Sequence, residues 1–231
     1  MSKKKKVFFS VLFVLINLVL LVGFIVIRDA TLLNDLKKEV ANLSKLDVTK
    51  DRFNSEIKTR GKYAIVEKAI KTYLDDYAVS LQESLQIVQD PQLTSILSYD
   101  NYQKDGPEFT KSIAFLNEKK SSFNQNMDVL LNNLDDKTIK DYIHGYIDDD
   151  YYVELYEDLM FSDTMKDDIS ETKGLLERTK NKVNLVLDTS SEVLNFLVQQ
   201  KDSWKLEEGE IRFKTNDLYN QYMNYIQLIQ S

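Results

Sequence analysis

PEFTKSIAFLNEKKSSFNQNMDVLLNNL, residues 107–134, decides the fold class. Phe109, Ile113, Leu116, Phe123, Met127, Leu130 and Leu134 follow one another at spacings of 4, 3, 7, 4, 3 and 4. That period lines them along one stripe of an α-helix, and such a stripe has to be covered by another element. Lys120 interrupts the seam. Pro107 is read as the first helical residue, where its missing N–H costs nothing.

The same period recurs on both sides. Phe53, Ile57, Val66, Ile70, Tyr73, Tyr77, Leu81, Leu85 and Val88 predict a helix over residues 51–89, with Gly61 as an isolated soft point. Pro91 ends it, because the residue before a proline avoids the helical region. A short helix is expected at 92–97 and a loop at 98–107, SYDNYQKDGP. Two short helices are expected at 136–146 and 149–161. A long one follows to residue 200, capped at Ser162 and broken near DTSSE, where Thr189 and Glu192 have capping-box spacing. Leu218, Tyr222, Tyr225 and Ile229 predict a last amphipathic helix. Glycine (6) and proline (2) are scarce, so little interrupts these helices.

The β signal is WKLEEGEIRF, residues 204–213. A two-residue turn at Glu208-Gly209 sets Trp204 against Phe213 and Leu206 against Ile211 on one face. An isolated hairpin is marginal in water, so this face is expected to dock on helices.

The N-terminus reads MSKKKK, then VFFSVLFVLINLVLLVGFIVI over residues 7–27 without a charge. As a helix this run spans about 31 Å, the thickness of a hydrocarbon core. It exceeds the apolar region of a cleaved signal peptide and ends in IVIRDA, a poor cleavage site, so a permanent signal anchor is expected. The lysine cluster Lys3–Lys6 puts residues 1–6 in the cytoplasm and residues 28–231 outside. Leu33, Leu36, Val40 and Leu43 carry helical spacing outward, which makes 28–50 a juxtamembrane helix or stalk and 51–231 the helical bundle domain. On this reading the second helix, nearly 60 Å long, exceeds the first outer helix of about 28 Å. It therefore either stands clear on a stalk or leaves at an angle. The expected fold is mainly all-α: an N-terminal transmembrane helix, then an elongated extracytoplasmic bundle with a small C-terminal hairpin.

Composition excludes several functions. The absence of cysteine removes disulfides, thiolate metal sites, cysteine nucleophiles and lipidation of an N-terminal cysteine. A single histidine, His144, excludes a histidine-rich metal site. Without the four tail lysines, 26 basic residues face 37 acidic ones, a net of −11. That charge argues against nucleic acid and against lying flat on anionic lipid. Richness in Lys, Asn, Asp, Ile and Tyr without cysteine is associated with AT-rich Gram-positive genomes.

The stretch HGYIDDDYYVELYEDLMF, residues 144–161, concentrates acids and tyrosines. On a helical wheel Asp150, Glu154, Glu157 and Asp158 fall within about 100° of one another, opposite Tyr152, Leu155, Tyr156 and Leu159. That is a surface helix with its apolar stripe inward. A calcium loop would need alternating oxygen ligands and a glycine, which DDDYYVELYED lacks. Paired-carboxylate catalysis needs two acids facing one cleft, which one helix face does not supply. His144 has no nucleophile signature beside it, and no phosphate loop, dinucleotide, zincin or nucleophile-elbow motif occurs. Hence no catalytic residue, cofactor or metal ligand is expected.

The expected function is that of a structural or interaction protein, an accessory or scaffold at the cell envelope. It would be held in the bilayer by residues 7–27 and would contact a protein partner or further copies of itself. The alternative is an extracytoplasmic sensor or ligand-binding module working with a separate signalling or transport partner.

Overall fold

The computed structural model describes residues 29–53, 56–161 and 163–230. The chain is mostly helical, with one small antiparallel sheet near its C-terminus. In order the elements are α1 (residues 29–43), α2 (Lys62–Val88), α3 (Pro91–Thr94), α4 (Tyr99–Asp105), α5 (Thr110–Asn133), α6 (Asp136–His144), α7 (Asp150–Met160), α8 (Asp163–Gln199), β1 (Trp204–Glu207), β2 (Glu210–Phe213) and α9 (Asn216–Gln230). Among the described residues no helix is long and apolar enough to cross a membrane. The expected anchor, 7–27, and the expected cap, Ser162, lie outside the described residues.

Two compact units emerge. The first comprises the described part of Met1–Asp47 with Phe53–Leu74 and Lys140–Ser162. Its core holds Leu36, Leu43, Phe53, Tyr63, Val66, Ile70, Ile143, Tyr156 and Met160. Tyr63 meets Tyr152 edge-on at 5.2 Å, and Tyr73 meets Tyr142 in the same way at 5.2 Å. Such edge-to-face pairs add to simple burial.

The predicted helix over 51–89 starts later than its periodicity suggests. The described residues of 51–60 are not helical, and Gly61, with φ of 62°, precedes α2. The backbone N–H groups of Lys58 and Thr59 donate to the Glu67 carboxylate instead of to a preceding turn. Phe53 and Ile57 fit a helical period, but Phe53 reaches the core from non-helical chain. At 27 residues α2 is about 40 Å long, shorter than the nearly 60 Å expected from the sequence but still longer than α1, which at 1.5 Å per residue is about 22 Å.

The second unit comprises Val48–Arg52, Asp75–Ile139 and Asp163–Ser231. Helices α5 and α8 pack together in it. Lys120 pairs with Asp188, Asn124 with Asn184, Lys180 with Asp128 and Lys173 with Asp135, so the two helices run antiparallel. Lys120, the interruption in the seam, thus has an acid on α8 as its partner. Phe123, Met127, Leu130 and Leu134 bury their side chains with Ile87 and Leu176. Phe109 and Leu116 join Leu187, Val193, Leu194 and Leu197 in a second cluster.

The hairpin has the expected register, with Trp204 opposite Phe213 and Leu206 opposite Ile211. Glu208 and Gly209 both have positive φ, 53° and 84°, the backbone a tight primed turn needs. Trp204 donates its indole N–H to the Leu197 carbonyl at 2.8 Å and stacks on Phe109, ring centres 6.0 Å apart. Phe213 packs against Phe196 and Tyr222 on the same face.

Three further elements differ from expectation. The loop expected at 98–107 contains α4, because the Ser98 side chain caps it by accepting from the Asn101 N–H. Pro107 is not the first residue of α5. It follows a cis peptide bond, and the helix begins after Phe109, whose φ is 48°. The break expected at DTSSE is absent and α8 continues through it. Thr189 and Ser190 are buried, and Ser191 donates to the Leu187 carbonyl four residues back, so a cap is not formed.

Candidate functional site

The acidic stretch does not converge. Asp149 is held by Lys62 at 2.6 Å, and this ammonium also stands 5.4 Å from the Tyr152 ring centre. Hydrogen bonding from Lys62 keeps the Asp149 carboxyl below its ordinary range. Asp148 faces His144 at 3.8 Å, with both side chains well exposed. Glu157 pairs with Lys140 at 3.1 Å. Among the described residues no three His, Cys, Asp or Glu side chains are grouped to hold a metal ion. The apolar side of α7 does turn inward, burying Tyr156 and Met160.

The strongest electrostatic feature is one the sequence did not announce. Lys71 is buried between Glu67 at 2.6 Å and Glu39 at 2.9 Å, and also donates to the Glu56 carbonyl at 2.8 Å. Lys58 bonds the second oxygen of Glu39 at 2.8 Å. Burial opposes the charge on Glu67. Hydrogen bonds from Lys71 and from the Lys58 and Thr59 backbone outweigh it, holding the carboxyl below its usual range. Glu39 behaves alike through Lys58 and Lys71. Two carboxylates and two ammoniums balance, and all of them bind one another or the backbone. This network ties the segment before α2 to α1 and α2, and it presents no free group to a substrate.

A polar cleft of about 440 Å³ opens beside α4 and the start of α5. Its central groups are also occupied. Asp105 accepts from both the N–H and the hydroxyl of Ser112, each at 2.7 Å, and from the Lys111 N–H at 3.4 Å. It thereby supplies the N-terminal cap of α5 that Phe109 has no side-chain oxygen to provide. Asn101 donates to the Ile96 carbonyl and to Ser112. The resemblance to a hydroxyl–carboxylate catalytic pair ends there, because no imidazole completes it.

A second cleft differs in kind. About 330 Å³ in size, it is lined by Leu97, Tyr99, Tyr102, Gly209, Glu210, Ile211, Tyr219, Tyr222 and Met223. Tyr102 and Tyr222 are buried and join their hydroxyls at 3.2 Å. Burial raises the pKa of both, so both stay neutral. Tyr219 is 47% exposed, and Glu210 and Gly209 are exposed at the turn. Comparison with protein-family models, curated proteins and solved structures finds no match to this chain. The cleft's geometry is therefore the guide to what it does. Four tyrosines from two helices line it, together with Gly209, Glu210 and Ile211 of the hairpin.

The sequence held a signal for this cleft. Both α4 and α9 carry tyrosines at i and i+3, Tyr99 with Tyr102 and Tyr219 with Tyr222, which places each pair on one helix face. Periodicity cannot say that the two faces meet.

Proposed function

We propose that this chain is a single-pass, membrane-anchored extracytoplasmic protein that acts by binding another protein at the cell envelope, as an accessory or scaffold subunit. Residues 1–6 lie in the cytoplasm, 7–27 span the bilayer, and 28–50 lead into an elongated helical bundle carrying the C-terminal hairpin.

The tyrosine-lined cleft carries the reading. Tyrosine gives large contact area at little cost in side-chain entropy and is enriched where proteins meet. In the Lys71 network and at Asp105 the charged groups bond one another or the backbone, which counts against their serving the sensor or ligand-binding alternative.

The test is mild crosslinking of membranes followed by purification of the full-length chain. A reproducible heteromeric species supports the interaction reading. Absence of any species, together with thermal stabilisation of the protein by a small molecule or glycan fragment, overturns it in favour of the ligand-binding alternative.

A further inference from the structure

Helices α1, α2 and α7 all begin at one end of the first unit. Asp29 and Leu32 of α1 share a small cleft of about 230 Å³ with Lys62 and Tyr63 of α2. Further along both helices Glu39 of α1 meets Lys71 of α2 at 2.9 Å, so the two run parallel from that end. The chain before α2 descends toward the same end. The Glu56 carbonyl accepts from Lys71, and the Lys58 N–H donates to Glu67. Gly61, with φ of 62°, then reverses the chain into Lys62. Helix α7 starts there too, since Asp149 bonds Lys62 at 2.6 Å and Tyr152 meets Tyr63 edge-on.

The sequence ties this end to the anchor. Asp29 follows the apolar run, 7–27, by two residues, and two residues of chain reach about 7 Å at most. Two side chains at this end stay open. Arg60, at the reversal, is exposed and, among the described residues, makes no ion pair. Lys62, by contrast, is matched by Asp149, and Asp148 faces His144 at 3.8 Å. Tyr151 is 49% exposed, with its hydroxyl 3.3 Å from that of Tyr63.

We propose that this end of the first unit is seated on the outer-leaflet headgroup layer, with Arg60 paired to a phospholipid phosphate and Tyr151 set among the headgroups. The assignment rests on the membrane-anchored reading above and names what the domain touches beside its anchor. Tyrosine settles at the membrane–water interface, where its ring is half covered and its hydroxyl stays wet. The guanidinium fork matches two phosphate oxygens at once. Phosphate is common to acidic and zwitterionic phospholipids, so the seat does not require an acidic membrane. The net −11 outside the anchor opposes spreading the whole domain over anionic lipid, and it leaves room for a contact confined to one end. Seated in this way, α1 and α2 rise from the membrane side by side, and the first unit does not swing on a free stalk.

The experiment incorporates the full-length protein in phosphatidylcholine nanodiscs. A photoreactive benzophenone analogue of phenylalanine replaces Tyr151 in one sample and Ala41 in another. Ala41 is exposed and lies about 18 Å along α1 from Asp29. Irradiation followed by intact-mass analysis is expected to find a phospholipid adduct at position 151 and none at position 41. With the probe at 151, Arg60→Glu should lower the adduct yield about two- to five-fold, the size of one exposed ion pair. Arg60→Lys, which keeps the charge, should stay close to the parent. Unchanged thermal midpoints would show that these surface variants are folded. Co-elution with the nanodisc reports the anchor separately. A chain that does not co-elute overturns the anchored reading and this seat with it. A co-eluting chain with no lipid adduct at 151, with equal yields at 151 and 41, or with a yield indifferent to Arg60→Glu overturns the seat and leaves the anchor standing. An adduct at 151 to a second copy of the chain in place of lipid does the same.

Discussion

Asn124 and Asn184 exchange two hydrogen bonds across the α5–α8 seam, at 3.0 and 2.8 Å. Each amide satisfies the other, and the pair fits only one register of the two helices. Single polar residues in helical seams are known to fix register in this way. Asn124→Ala or Asn184→Ala alone should destabilise the protein by about 1–2 kcal/mol, because each leaves its partner's amide unsatisfied. The double variant should cost less than the sum, with a coupling of about 1 kcal/mol. Urea denaturation of all four proteins checks this, and strict additivity would refute it.

The Lys71 network makes a prediction about acid. Glu67 and Glu39 have folded-state pKa values below the ordinary carboxylate range. A lowered folded pKa adds stability that is complete above the unfolded value, about 4.3, and is lost as pH falls through the folded one. The thermal midpoint should therefore hold from neutrality to about pH 5 and fall below about pH 4. Asp105 and Asp149 act in the same direction. At neutral pH, Lys71→Met should cost about 3 kcal/mol, since it leaves the buried Glu67 carboxylate with backbone donors but no cation, while Glu39 keeps Lys58. Circular-dichroism melts over pH measure both effects. A Lys71→Met protein as stable as the parent would contradict this account.

Much of the fold was legible because apolar period and turn chemistry act locally. The α5 stripe, the α9 face and the Trp204–Phe213 register follow from spacing alone. What stayed hidden is long-range or depends on competing partners. The start of α2 is set by Glu67 capturing two N–H groups from upstream chain, which no window around Phe53 contains. The α4 helix was masked by loop-like composition, although Ser98 is a sound cap. The DTSSE capping pattern lost to burial of Thr189, Ser190 and Val193. The tyrosine cleft joins residues more than a hundred positions apart, so the sequence showed its halves and not their meeting.

Trp204 tests the docking of the hairpin. With its N–H on the Leu197 carbonyl and its ring on Phe109, it should emit at a blue-shifted wavelength in the folded state. Trp204→Ala should cost about 3 kcal/mol, toward the low end for a large aromatic because the side chain is only partly buried. Solvent-like emission with unchanged stability would mean a free-standing hairpin.

Divalent cations should have little effect. Asp149 is engaged by Lys62, and Asp148 is turned toward His144. A specific site would raise stability by about 2.7 kcal/mol at a hundred times its dissociation constant. Millimolar calcium or magnesium should leave the melting temperature nearly unchanged. A large rise abolished by combining Asp148→Ala, Asp149→Ala and Asp150→Ala would establish a site there.

The most direct measurement uses the absence of cysteine. Asn220→Cys puts one thiol on the exposed side of α9, next to Tyr219. Intact cells carrying this full-length variant are treated with a membrane-impermeant reagent that joins a thiol to an amine. An extracytoplasmic interaction protein that binds through the tyrosine cleft should give a discrete adduct with one other protein. Labelling only after lysis would contradict the extracytoplasmic location. Efficient thiol labelling in intact cells with no protein adduct would contradict the interaction itself.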